Sequence, residues 1–346
     1  MGFLKVSSPH AHGPMSTASV MRLVLLATLP GMLALTWFFG FGTIINVLWA
    51  SVTALAFEAM ALRWRKRPIG FYLNDYSALV TAFLLGIALP PAAPFWLIMI
   101  GTGFGILICK QLYGGMGYNP FNPAMAAYVM LLISFPVEMT TWMAPKGSFA
   151  GDLLGPIDAL RYCFGFGREA IDAITMATPL DVLKQNNALL IDDLWSQSPQ
   201  FGQLAGKGWE WANAGFLLGG AYLIYRRIFT WHAPLSMLAV LTLMSLLFYD
   251  GGSSASGGSP FFHLFSGATM LGAFFIVTDP VTSAVSNRGR LIYGALIGLL
   301  IYIIRVWGNY PDAVAFSVLL MNFAAPFIDH FTQPRTYGHK TKGAEK

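Results

Sequence analysis

The chain has 346 residues, 55% of them hydrophobic and only 11% charged, with a mean hydropathy of +0.58 and a formal net charge of +5. A soluble domain carries about 25% charged residues, so this composition excludes a soluble enzyme, a disordered tail protein and a small disulfide-built scaffold. It leaves an all-α polytopic membrane protein in a lipid bilayer, with a basic excess too thinly spread to mark a nucleic-acid surface.

Residues 1–21 form a polar N-terminal segment without the apolar core of a cleaved signal. An apolar stretch of about 20 residues crosses the hydrocarbon core as a helix. Five candidates fill 22–136, near 22–40, 43–62, 76–90, 94–112 and 120–136. The third and fifth are short. Pro90, Pro91 and Pro94 stop the third, whereas Pro120 and Pro123 open the fifth, where proline is tolerated. Residues 137–209 are too polar to cross and too long for a bare turn, so short helices of their own are expected there. Five more candidates fill 210–330, near 211–228, 234–249, 260–278, 290–306 and 311–329. The stretch Gly251 to Gly258 reads as a flexible loop before the eighth, and 331–346 as a polar tail.

Lys and Arg placement orients the ten spans. With both termini in the cytoplasm, fifteen basic residues fall on that side and six on the other, five of these within 137–209. That loop is therefore expected to be periplasmic. Three pairs of segments match at offsets of 189 to 191: Ala82 to Pro90 with Gly272 to Pro280, Gly117 to Pro120 with Gly308 to Pro311, and Ala124 to Leu132 with Ala313 to Met321. Together they suggest two five-helix halves. An odd number of spans per half makes the second half inverted, an architecture that places sites between the halves.

Glu58, Lys110, Asp279, Arg305, Asp312 and Asp329 lie near span ends. Ionisable groups at membrane depth mark functional positions, yet at span ends several are expected to reach water. Asp279 before Pro280 reads as a helix N-cap in preference to an ion ligand. Asn119 and Asn122 either close broken-helix ends or contact an ion. His232, His263 and His330 lack ligand spacing, and Cys109 and Cys163 are isolated, so no metal site is expected. Gly101 to Gly105 reads as helix packing rather than a nucleotide loop.

The most informative pattern lies in the long loop, from Asp172 to Asp181 (DAITMATPLD). One reading is a helix start, with Thr175 or Thr178 as N-cap before Pro179. The segment also resembles the covalent flavin-attachment site of the NqrB/RnfD family: Asp, two residues, Ser or Thr, one residue, Ala, Thr. The resemblance implies that Thr178 carries FMN through a phosphoester, with Asp172, Thr175 and Ala177 as matching positions. Ala173 and Met176 depart from it where Gly is common. A rival, Ser266-Gly267-Ala268-Thr269, has His263 rather than Asp six residues upstream. Thr269 is also expected about 13 Å into the eighth span, beyond easy reach of a soluble modifying enzyme.

The resemblance extends over most of the chain, through Asn119-Pro120-Phe121-Asn122-Pro123-Ala124 and Gly272 to Val281. The short segment before the first span is similar to the RnfD branch. What this implies is a multi-pass subunit of the Rnf ion-translocating complex in a bacterial inner membrane. Its partners would be RnfA, RnfB, RnfC, RnfE and RnfG, with a flavin transferase for maturation. Electrons would pass between ferredoxin and NAD, handled in partner subunits, coupled to movement of Na⁺ or H⁺. The NqrB branch further implies a non-covalent riboflavin inside the bundle. A secondary transporter or channel of inverted-repeat type, without a redox cofactor, remains the alternative from topology alone.

Overall fold

The computed structural model describes residues 15–148, 153–167, 171, 173–186, 188–254, 256–308, 310 and 312–333. Helix boundaries follow local chemistry. Ser16 caps α1 (Thr17–Phe39), accepting the Ser19 amide at 3.2 Å, and Gly40 ends it at φ +89°. α2 (Gly42–Trp64) and the short α3 (Ile69–Leu73) precede α4 (Ser77–Ala88). α4 starts after Tyr76 in a left-handed conformation, with Asp75 accepting the Ser77 amide and hydroxyl at 2.7 and 2.5 Å. α5 (Phe95–Gly103) continues as a π-helix to Gln111, and Asn122 caps α6 (Pro123–Ser134).

In the second part, α11 (Trp209–Tyr225), α12 (His232–Leu247), α15 (Asn287–Val306) and α16 (Val314–Thr332) are long helices. The eighth predicted span is not one helix. It divides into α13 (Pro260–Phe265) and α14 (Thr269–Leu271), which runs on as a π-helix through Ile276. Ser266, Gly267 and Ala268 form the break, with Gly267 at φ +58°.

Among the described residues four helices, α1, α2, α15 and α16, are long and apolar enough to cross a membrane; α4, α5 with its π-extension, α6 and α12 are shorter and apolar. Their outward faces are greasy: Leu26, Leu33 and Trp37 of α1 are 59%, 58% and 64% exposed. Such a contiguous surface suits lipid rather than water, and the chain is a multi-pass membrane protein. α1 packs on α11, α6 on α16, α2 on α4 and α5, and α12 on α15. Small residues let the backbones meet. A Cβ on Gly215 would lie 2.7 Å from the Gly31 amide nitrogen, and one on Gly294 or Gly298 would strike the carbonyls of Ala233 or Met237.

The long loop does hold structure. It contains α7 (Pro136–Thr140), α8 (Pro156–Cys163), α9 (Pro179–Gln185) and α10 (Ile191–Gln197). A two-stranded antiparallel sheet pairs β1 (Trp142–Met143) with β2 (Thr175–Met176), Trp142 opposite Met176. A small core of Leu180, Leu183, Leu194, Phe201 and Phe262 docks this layer on α13.

Several local expectations change. The Gly251 to Gly258 loop is tied down at two points: Gly252 accepts the Ile191 amide at 3.0 Å, and the Gly257 carbonyl meets His263 Nε2 at 2.9 Å. Asp279 caps no helix. It closes a turn, accepting Val281 N–H at 3.3 Å and the Thr282 hydroxyl at 2.8 Å, and α15 begins only at Asn287. Glu58 and Lys110 are buried rather than exposed at span ends; they pair at 2.8 Å, both 2% exposed.

Candidate functional site

The strand-to-helix corner after β2 presents the loop motif. β2 fixes Thr175, and Ala177 is exposed on the turn. Thr178 is the N-cap of α9, in extended conformation, with Pro179 at the first helical position. Its hydroxyl donates to Asp181 Oδ2 at 2.5 Å and accepts the Asp181 amide at 3.3 Å, while the Thr178 amide donates to Asp181 Oδ2 at 3.2 Å. This is a reciprocal capping box. The helix-start reading of the motif is thus borne out at Thr178. Asp172 lies outside the described residues, so three of the four motif positions are seen together in one corner.

Thr178 is half-buried at the edge of a cleft between the loop layer and the helices. Asp181 and Trp142 from the loop, Tyr128 of α6, Trp209 of α11 and Asp312 before α16 line it with Thr178. Trp142 and Trp209 are edge-to-face at 4.7 Å, and Phe39 backs Trp209 at 5.2 Å. Burial pushes the Asp181 carboxyl above its ordinary range, opposed by the Thr178 hydrogen bonds that favour its charged form. Burial also lowers Lys184, which reaches the Tyr310 carbonyl at 2.9 Å and so ties α9 to the second half.

The helix break forms the floor. Asp312 Oδ2 accepts the Ala268 amide at 3.0 Å, and Oδ1 faces Arg305 Nη2 at 3.2 Å. Arg305 also donates to the His263 carbonyl and to the Thr269 hydroxyl, both at 2.9 Å. Thr269 is 0% exposed, and its hydroxyl donates to the carbonyls of His263 and Ser266.

A second cavity, of about 570 Å³, lies at the opposite ends of the same helices. Ser77 and Thr81 of α4, Lys110, Asn119, Asn122 and Asp279 supply polar groups to it. Asn122 accepts the Ala124 and Met125 amides as the cap of α6, and Asn119 donates to the Phe121 carbonyl. The two spaces share a construction. Met21, Ser77, Val80, Pro123 and Ala124 line the cavity; Ala212, Ala268, Leu271, Val314 and Ala315, each 191 positions later, line the cleft. Conversely, Ile87 and Ala88 line the cleft where Thr278 and Asp279 line the cavity. Tyr76 and Gly267, both with positive φ, are separated by the same 191 residues.

Sequence reasoning singled out Thr178 but not Tyr128, Trp142 and Trp209, which line the same cleft from three other segments. Asp181 was detectable: an acidic residue three positions after a capping threonine is a local signal.

Among the described residues no group of three or more His, Cys, Asp or Glu side chains could hold a metal ion. The model of the NQR2, RnfD, RnfE family matches residues 5–338. The chain is 58% identical over 344 residues to a Cellvibrio japonicus protein named as the D component of an ion-translocating oxidoreductase complex, covering 98% of this chain and 96% of that one. Proteins of the same name from Pseudomonas aeruginosa and Aliivibrio salmonicida are 57% and 52% identical, each over 98% of this chain and over 97% and 99% of their own.

Proposed function

The chain belongs to the NQR2, RnfD, RnfE family, and from that premise we propose that it is the D-type membrane component of an Rnf complex, carrying FMN on Thr178 through a phosphoester. The observation that carries the reading is the position of Thr178: a half-buried hydroxyl, held by a capping box, at the edge of a cleft walled by Tyr128, Trp142 and Trp209. Aromatic side chains suit a flat heteroaromatic ring. When bound, FMN supplies a ring that takes up one or two electrons. The chain's own part is to fix the attachment point through Asp181, to wall the ring from water, and to set the charge around it. Thr269 fits the role poorly, because its hydroxyl is buried and already committed to two carbonyls.

The pairs 191 residues apart support ten spans in two inverted five-helix halves, 22–136 and 210–330, around the loop 137–209. In this reading the complex sits in a bacterial inner membrane, with both termini cytoplasmic and the loop periplasmic. RnfA, RnfB, RnfC, RnfE and RnfG are the partners, a flavin transferase matures the protein, and ferredoxin and NAD react on other chains. Electron transfer is coupled to Na⁺ or H⁺ translocation. The opposite cavity, related in construction to the cleft, is where a non-covalent riboflavin fits, with Asn119 and Asn122 as neutral polar partners.

The test is in-gel flavin fluorescence of the chain from its native membranes, beside Thr178→Ala and Thr178→Ser. Wild type and Thr178→Ser are expected to fluoresce under denaturing conditions and Thr178→Ala to be dark. A fluorescent Thr178→Ala sinks the site assignment. A dark wild type returns the chain to the cofactor-free transporter or channel reading.

A further inference from the structure

The cleft and the cavity share lining positions at the 191-residue offset and differ in charge. Their corresponding walls include small and apolar side chains. The cleft has carboxylates at Asp181 and at Asp312; 191 positions before Asp312 the chain has Phe121. The cavity instead has Lys110, Arg227 and Arg290 against Asp279, with Lys110 paired to Glu58.

Asp312 is fixed in place. It accepts the Ala268 amide, pairs with Arg305 and receives the Val314 amide at 3.4 Å. Its side chain is 25% exposed, toward the cleft that it lines with Thr178. Arg305 divides its donors among the carbonyls of His263 and Ser266, the Thr269 hydroxyl and Asp312. A Cβ on Gly267 would lie 2.9 Å from Leu180 and 3.0 Å from Asp312 Oδ2, so this glycine admits both to the floor of the cleft.

We infer that the Asp312 carboxylate lowers the reduction potential of the flavin held in the Thr178 cleft. Reduction loads negative charge onto the ring; the Asp312 carboxylate opposes that charge and offsets the Arg305 cation 3.2 Å away, so a neutral residue at 312 leaves that cation unbalanced toward the ring. The inference rests on the flavin reading of Thr178. Asp312 acts on the ring through its field and is a tuning residue, not a catalytic one.

The experiment is an anaerobic redox titration of the full chain, purified from native membranes and followed by flavin absorbance. The Thr178→Ala signal is subtracted to isolate the covalent flavin. Asp312→Asn is expected to shift the midpoint upward, and Asp312→Glu, which keeps the charge, to stay near wild type. Asp312→Ser is a second neutral variant that still offers an acceptor to the Ala268 amide, and it should shift in the same direction. A midpoint unmoved or lowered in the neutral variants, with the fluorescent band intact, overturns this inference and leaves the flavin reading standing. A wild-type chain without the band overturns the flavin reading itself.

Discussion

Glu58 and Lys110 lie 52 residues apart and meet inside the bundle, where Lys110 Nζ also donates to the Ser77 hydroxyl at 2.8 Å and Gln111 donates to Glu58 at 2.7 Å. Read along the chain, each is an ionisable residue near a span end, for which water is the default partner. Only folding supplies the opposite charge. Removing one member strands the other in a low-dielectric interior. Glu58→Ala should therefore cost about 3–5 kcal/mol, and the double variant Glu58→Met with Lys110→Met distinctly less. Thermal unfolding in detergent reads this; equal losses in both would show that the pair itself is not what the bundle needs. Thr178 is the opposite case. Its cap role was legible because N-cap chemistry is local, set by a hydroxyl, a proline at the next position and a polar side chain three residues on. Replacing it with Ala should also loosen α9 by about 1 kcal/mol.

Among elements, those with a continuous apolar run were legible and the interrupted one was not. α1, α2, α15 and α16 follow their predicted stretches because hydropathy over about 20 residues decides a span. The eighth stretch is apolar over most of its length, yet it breaks at Ser266 to Ala268. Arg305 and Asp312, from other segments, take up the freed Ser266 carbonyl and Ala268 amide. The contact between α12 and α15 is likewise a tertiary matter. Gly294 and Gly298, four residues apart, face the carbonyls of Ala233 and Met237, also four apart. Gly298→Leu should force the two helices apart and cost at least about 1–3 kcal/mol. Gly70→Ala, with nothing within 4 Å of the added Cβ, should be nearly neutral in the same melting assay. Similar melting temperatures for the two variants would contradict close backbone packing at that crossing.

For the whole molecule, the proposed orientation rests on the placement of Lys and Arg, and the proposed repeat on segments that match at offsets of 189 to 191. A periplasm-dependent reporter inserted after Gln197 should be active, and one after Arg288 inactive; the reverse pattern would invert the molecule and remove Thr178 from the outer face. The sequence by itself determined a multi-pass helical protein, the basic-residue asymmetry, the structured loop and the threonine that begins α9. All of these depend on neighbours within a few residues or on composition over one span. The tertiary structure alone decided the buried ion pairs, the broken eighth span, and the convergence of Tyr128, Trp142, Trp209 and Asp312 around Thr178. It also brought residues 191 positions apart to corresponding places in the cleft and in the cavity at the opposite helix ends. The physical reason is that membrane-buried polar groups must find partners inside the protein, and those partners come from segments that the linear order keeps far apart.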